Sequence, residues 1–169
     1  MKKFVYLKNS HSPGYPTGKL FSTDDFYYIR ATAEAINRVF PKDKILLVVR
    51  GHSGSILAGG IAYLLARKGN HVIISVSRKA ETPHSCNLDG MPLDRGDFKI
   101  IIIDDFVESG DTIYNIINDL KQIKNIGHFD MLCISNHWDE EVIEEHRNKE
   151  VYEDIISHFD YICCNEPQN

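Results

Sequence analysis

The chain has 169 residues, 43% of them apolar, with a formal net charge of −5 and a pI near 5.9. That length suits one ordinary domain, able to bury a core without disulfides or structural metals, and the acidic balance argues against a sequence-independent nucleic-acid or membrane surface, which would need a basic face. No apolar run approaches the roughly 20 residues that span a bilayer, and the start, MKKFVYLKNSHSPG, turns polar after Leu7, too early for a secretory h-region; a cytoplasmic protein is expected.

Taken in chain order, residues 14–20, GYPTGKL, look superficially like a Walker A loop. Three residues rather than four separate the glycines and Leu20 follows the lysine, so a P-loop is rejected. Phe26, Ile29, Ala33, Ile36 and Phe40 recur at helical steps, with Ser22 and Asp25 spaced as a capping box and Pro41 as the stop, and predict an amphipathic helix over 23–40. Ile45 to Val49 contains no polar residue and reads as a strand buried on both faces. The loop RGHSGS follows, then a helix marked by Ile56, Leu57, Ile61, Leu64 and Leu65, with Gly69 as C-cap. Further strands are expected at His71–Val76, Ile100–Ile103, Met131–Ser135 and Tyr161–Cys164. Ile113, Ile116, Ile117 and Leu120 give one helix face, and residues 139–157 a charged helix. Strand, polar loop, helix is the repeating unit, which predicts an α/β fold: a doubly wound, mostly parallel central sheet flanked by helices, in a single domain spanning 1–169.

Residues 79–96, KAETPHSCNLDGMPLDRG, show no usable periodicity. A long structureless loop inside a compact domain is usually a functional lid or a disordered insertion, and here a lid over 80–96 is expected. The cysteines, Cys86, Cys133, Cys163 and Cys164, include no C-x-x-C pair, and three lie in apolar stretches, as buried thiols do. His84 with Cys86 supplies only half of a tetrahedral zinc site.

KIIIIDDFVESGDTI, residues 99–113, sets four isoleucines against two aspartates and a small polar loop. In an open parallel sheet, ligands bind beyond the carboxyl ends of the strands. Adjacent carboxylates repel unless a cation or hydrogen-bond donors lie between them, so Asp104 and Asp105 suit a diol, a divalent metal or both. Glu108-Ser109-Gly110-Asp111-Thr112 then opens a helix whose unpaired amides favour an anion. The pattern reads as a phosphate cradle beside a sugar-diol clamp; the plainer alternative is a βα turn with ordinary N-caps.

IIIIDDFVESGDT resembles, at every position, the thirteen-residue signature by which type I phosphoribosyltransferases bind 5-phosphoribosyl 1-pyrophosphate (PRPP). VVRGHSGSILAGGIAYLLARKG resembles the family's pyrophosphate loop and helix, best in its xanthine-guanine branch, and Ser77-Arg78-Lys79 resembles a pyrophosphate-contacting Arg-Lys. The likeness covers roughly residues 40–120. It implies the type I phosphoribosyltransferase fold, with a core over about 20–135 and a small hood formed by the N- and C-terminal segments. It implies that Asp104 and Asp105 hold the ribose hydroxyls and Mg²⁺. Glu108, Ser109, Gly110, Asp111 and Thr112 would hold the 5′-phosphate, with Val107 also among the PRPP-binding residues, while Arg50, Gly51 and His52 bind pyrophosphate. Arg78 and Lys79 would stabilise the leaving group, and Glu108 would assist proton transfer at a base, more in keeping with a purine than with orotate. It further implies a nucleobase as acceptor, pyrophosphate as product and a homodimer.

The family's purine-binding lysine is replaced in CISNHWDE, where Asn136 stands near that position. Trp138, Phe159 and Tyr161 are candidates to stack on the base, although buried aromatics are ordinarily core. Two alternatives stay open: a non-catalytic regulator that binds PRPP or a nucleotide on the same fold, and a metal-using hydrolase or receiver-like domain built on Asp104 and Asp105.

Overall fold

The computed structural model describes residues 2–8, 23–78, 88–92, 97–104, 109–124, 126–134 and 149–165. Seven strands form one sheet: β1 (Lys3–Leu7), β2 (Lys44–Arg50), β3 (His71–Ser77), β4 (Leu88–Asp89), β5 (Phe98–Ile103), β6 (Phe129–Cys133) and β7 (Phe159–Asn165), in the order β1-β7-β6-β5-β2-β3-β4. All pairs are parallel except β3 with β4. Helices α1 (Thr23–Val39), α2 (Gly51–Arg67), α3 (Asp111–Lys124) and α4 (Lys149–Ser157) complete the described elements. None is long and apolar enough to cross a membrane.

The sheet is buried on both faces. Ile45, Leu47 and Val49 of β2 point into one core with α1 and α2 residues such as Ile29, Ile36, Leu57 and Leu65. The intervening Leu46 and Val48 point into a second core with Ile113, Ile116, Ile117 and Leu120 of α3 and Ile155 of α4. Each such side chain removed from water contributes roughly 1.5–3 kcal/mol before entropic costs, which explains why the central strands read as unbroken apolar runs. Phe26, expected on the buried stripe of α1, lies in its first turns and is exposed. The capping-box side chains of Ser22 and Asp25 lie outside the described residues.

Gly69 ends α2 as expected: its φ is +94°, its amide donates to Ala66 O (3.0 Å), and Asn70 N reaches back to Leu65 O (3.1 Å). The buried Asn70 side chain then donates to Phe40 O (2.8 Å), tying the end of α2 to the end of α1 beside the start of β2. Other elements depart from expectation. α2 begins at Gly51, so RGHSGS is mostly the first turn of a helix rather than a loop before it. β1 was not foreseen; it is a half-exposed edge strand with alternating exposure too weak to stand out. Within the expected lid, β4 pairs with β3, fixed by the Ser75 hydroxyl donating to Asp89 O (2.7 Å) and by the Arg78–Asp89 ion pair. Residues 80–87 and 93–96 of the expected lid lie outside the described residues, as do Ser135 of the strand expected at Met131–Ser135 and residues 139–148 of the expected charged helix.

Strand order reverses between β2 and β5. From β2 the chain proceeds through α2 to β3 on one side, and from β5 through α3 to β6 and β7 on the other. Their carboxyl ends, Arg50 and Ile103, therefore flank the crevice where open α/β sheets place ligands.

Candidate functional site at the topological switch point

Two helix N-termini face this crevice: α2 is entered directly from β2, and α3 follows β5 after the seven residues 104–110. α2 starts at the residue after β2, with no side-chain cap and no acid in its first turn. Its leading amides and the positive end of a 17-residue helix dipole are thus uncompensated by α2's own side chains. Gly54 brings α2 close: a Cβ there would stand 3.3 Å from Val49 Cβ and 3.7 Å from Ile103 O. The helix start is consequently wedged against the ends of both central strands.

Across the crevice, Asp104 follows β5 immediately, is 6% exposed, and donates its backbone amide to Cys133 O (3.0 Å). Gly110 is buried with φ +80°, a conformation that favours glycine, and its carbonyl accepts the first helical hydrogen bond of α3, from Tyr114 N (3.0 Å). Ser109 Oγ accepts from Asp111 N (3.3 Å), and Ser109 and Asp111 are exposed while Thr112 is half-buried. Asp105, Val107 and Glu108 lie outside the described residues. Asp104, Ser109, Gly110, Asp111 and Thr112 are thus gathered at the end of β5, and Arg50, Gly51 and His52 at the end of the neighbouring β2.

Arg50 does not stand as a bare cation. Arg50 and Ser77 are partners in the last register pair of β2 and β3. Arg50 Nη1 donates to Ser77 Oγ (2.6 Å), Ser77 Oγ donates to Asp119 Oδ2 (2.6 Å), and Nη1 lies 3.5 Å from the same carboxylate oxygen. The Arg50 and Asp119 side chains are only 12% and 9% exposed. Sequence reading gave Asp119 no role and Ser77 none beyond its motif. The available signal was an aspartate three residues after Ile116 and beside Leu120, at the edge of an apolar stripe where an unpartnered carboxylate would be costly. Arg78, expected at pyrophosphate, is half-exposed and paired with Asp89 of β4; Lys79 lies outside the described residues.

The base-stacking expectations fare differently. Tyr161 is the third residue of β7, four residues or roughly 13 Å below the carboxyl end. Its ring packs edge-on to Phe40 (5.7 Å, 84°), with Lys3 Nζ 5.3 Å from the ring centre. It belongs to the amino end of the sheet, away from the crevice. Phe159 is buried against Phe129 (5.5 Å) and is core. Asn136 and Trp138 lie outside the described residues.

The three described thiols sit in the core, away from the crevice surface. Cys133, Cys163 and Cys164 are free and buried; burial first, then contact with Cys163, pushes Cys133 well above the usual range, and burial raises Cys164 to about 12. Burial likewise raises the Tyr28 phenol, with the Asp104 carboxylate adding to the effect. Among the described residues no group of three or more His, Cys, Asp or Glu side chains could hold a metal.

No protein-family model and no curated protein matches the sequence. Solved structures do match. The orotate phosphoribosyltransferase of Francisella tularensis has a TM-score of 0.62 at 18% identity, over 89% of this chain and 67% of that one. The orotate phosphoribosyltransferase of Mycobacterium tuberculosis H37Rv, solved with Fe(III) dicitrate, has a TM-score of 0.57 at 11% identity, over 94% of this chain and 90% of that one. With its parallel sheet, flanking helices and motif-bearing switch point, the chain has the type I phosphoribosyltransferase fold.

Proposed function

We propose that the protein is a phosphoribosyltransferase that uses PRPP and Mg²⁺ to ribosylate a nucleobase, releasing pyrophosphate. The observation that carries this is the meeting, at one switch point, of the segment resembling the PRPP signature with the uncapped start of α2 beside Arg50. In that reading Asp104 and Asp105 accept hydrogen bonds from the ribose hydroxyls. The α3 N-terminus, with Ser109, Gly110 and Thr112, receives the 5′-phosphate. The α2 N-terminus and Arg50 receive pyrophosphate as its charge grows in the transition state.

The oxygen donors of Asp104 and Asp105 fit Mg²⁺, which is typically held by one or two carboxylates together with substrate phosphates. Bound there, Mg²⁺ would neutralise part of the departing charge. Residues 80–96 would exclude water from the oxocarbenium-like centre, with β4 anchoring their middle to the sheet. Arg78 would have to leave Asp89 to join the site. The cost is small, because exposed ion pairs contribute about 1 kcal/mol or less.

For the acceptor, the acid Glu108 supports a purine-like base, whose ring nitrogen exchanges a proton in the reaction. The two solved orotate enzymes support the fold alone at their identity to this chain. A second reading, a PRPP-binding regulator, is favoured by Asn136 standing in place of a base-binding lysine. Pyrophosphate release should be followed with PRPP, Mg²⁺ and hypoxanthine, guanine, xanthine, adenine or orotate. Release dependent on a purine supports the proposal, and dependence on orotate alone overturns the purine assignment. PRPP binding without release for any base replaces the enzyme by the regulator.

A further inference from the structure

We propose that Asp119, acting through Ser77, is a positioning residue that presents the Arg50 guanidinium to an anion at the switch point; this rests on the phosphoribosyl-transfer reading above. Ser77 has one hydroxyl proton, and donating it to Asp119 Oδ2 (2.6 Å) turns an oxygen lone pair toward Arg50 Nη1 (2.6 Å). The chain Nη1–H to Oγ–H to Oδ2 is satisfied in one direction only, so the carboxylate fixes the hydroxyl and the hydroxyl fixes the guanidinium. Three elements meet in it: the last residues of β2 and β3, paired in register, and α3.

Asp119 could act in two opposite ways. As a counter-ion it would lower the positive potential at Arg50, and its loss would strengthen anion binding. As an anchor it would hold Arg50 in a binding-ready rotamer, and its loss would weaken anion binding. The hydrogen-bond geometry favours the anchor. The direct Arg50–Asp119 contact is 3.5 Å, at the limit of a hydrogen bond, whereas both links through Ser77 are 2.6 Å. Arg50 Nε and Nη2 have no hydrogen-bond partner among the described residues, leaving a second edge of the fork for an incoming oxyanion. That edge belongs to the residue that immediately precedes the first amide of α2, so guanidinium and helix start are linked by covalent geometry.

The test is calorimetric titration of the full chain with inorganic pyrophosphate and Mg²⁺, with thermal melts as a folding control. Ser77→Ala and Asp119→Asn should each weaken binding about tenfold, and Ser77→Thr, which keeps the hydroxyl, should restore it. In an Arg50→Gln background the same substitutions should cost nothing further, since they act only through Arg50. The side-chain Nε–H resonance of Arg50 should be sharp in the wild type and exchange-broadened in Asp119→Asn. Unchanged or tighter binding by Ser77→Ala and Asp119→Asn, or losses that add to that of Arg50→Gln, overturns the positioning role while leaving the reading intact. Failure of the wild type to bind pyrophosphate overturns the reading and this inference together.

Discussion

Gly54 provides a graded probe of the geometry on which the site depends. It lies one turn into α2 and is buried, and a Cβ built on it would stand 3.3 Å from Val49 Cβ and 3.7 Å from Ile103 O. Gly54→Ala has two opposed effects. Alanine favours a helix interior by about 0.8–1.0 kcal/mol over glycine, while the new methyl must displace a fully buried side chain of the central strand by a few tenths of an ångström. We expect near-cancellation, a stability within about 1 kcal/mol of wild type. Gly54→Leu adds three further carbons where Val49 and the end of β5 leave no room, costing about 1–3 kcal/mol from overpacking and lifting the α2 N-terminus from the crevice. Urea unfolding midpoints and pyrophosphate titrations of both variants measure the two consequences. If Gly54→Leu is as stable as Gly54→Ala and binds pyrophosphate equally well, the close approach of α2 is not what builds the site.

Other expectations follow from single positions. Gly90→Ala places a Cβ 2.5 Å from Ile74 O at φ +76°, so β4 should detach from β3; faster amide exchange at Leu88 and Asp89 checks this, and unchanged protection contradicts it. Gly110→Ala, at φ +80°, should cost about 1–2 kcal/mol and weaken PRPP binding, both read from unfolding curves with and without ligand. Glu108→Gln should lower turnover with PRPP affinity nearly intact, and unchanged turnover for every active base would remove its proton-transfer role. Alkaline pH should destabilise the fold. Burial holds the Cys164 thiol at about 12, against about 9 when exposed, and raises Cys133 in the same direction. The unfolded chain therefore releases these protons first, so stability is complete below about pH 9 and lost between about 9 and 12. Urea midpoints at pH 8 and above should fall steadily across that window, and a flat profile would contradict the burial of the thiols.

Two-sided burial made the framework legible. Strands such as ILLVV and IIII have no polar face, and the apolar stripe of α3 keeps a strict helical step. The edges were harder to read: β1 is half exposed, and β4 is two residues held by Asp89 contacts rather than by its own pattern. The start of α2 was missed because glycines and serines look like a loop, whereas here a glycine permits the tight approach of helix to strand. The segment proposed to cradle the phosphate was legible because it is contiguous in sequence. The Arg50–Ser77–Asp119 relay was not, since it joins three separate elements and becomes local only when β2 pairs with β3 and α3 covers them. Tyr161 could have been set aside from sequence polarity alone: it opens its expected strand, and ligands in parallel sheets gather at the strands' other end.

The most direct measurement is an amide-resolved NMR titration of the protein with PRPP and Mg²⁺. Perturbations should concentrate in two separated segments, Gly51–Gly54 at the start of α2 and Ser109–Thr112 at the start of α3, and Asp105→Asn should weaken both together. Perturbations at neither segment, or confined to a surface away from the β2–β5 crevice, would contradict the assignment of the switch point as the donor site.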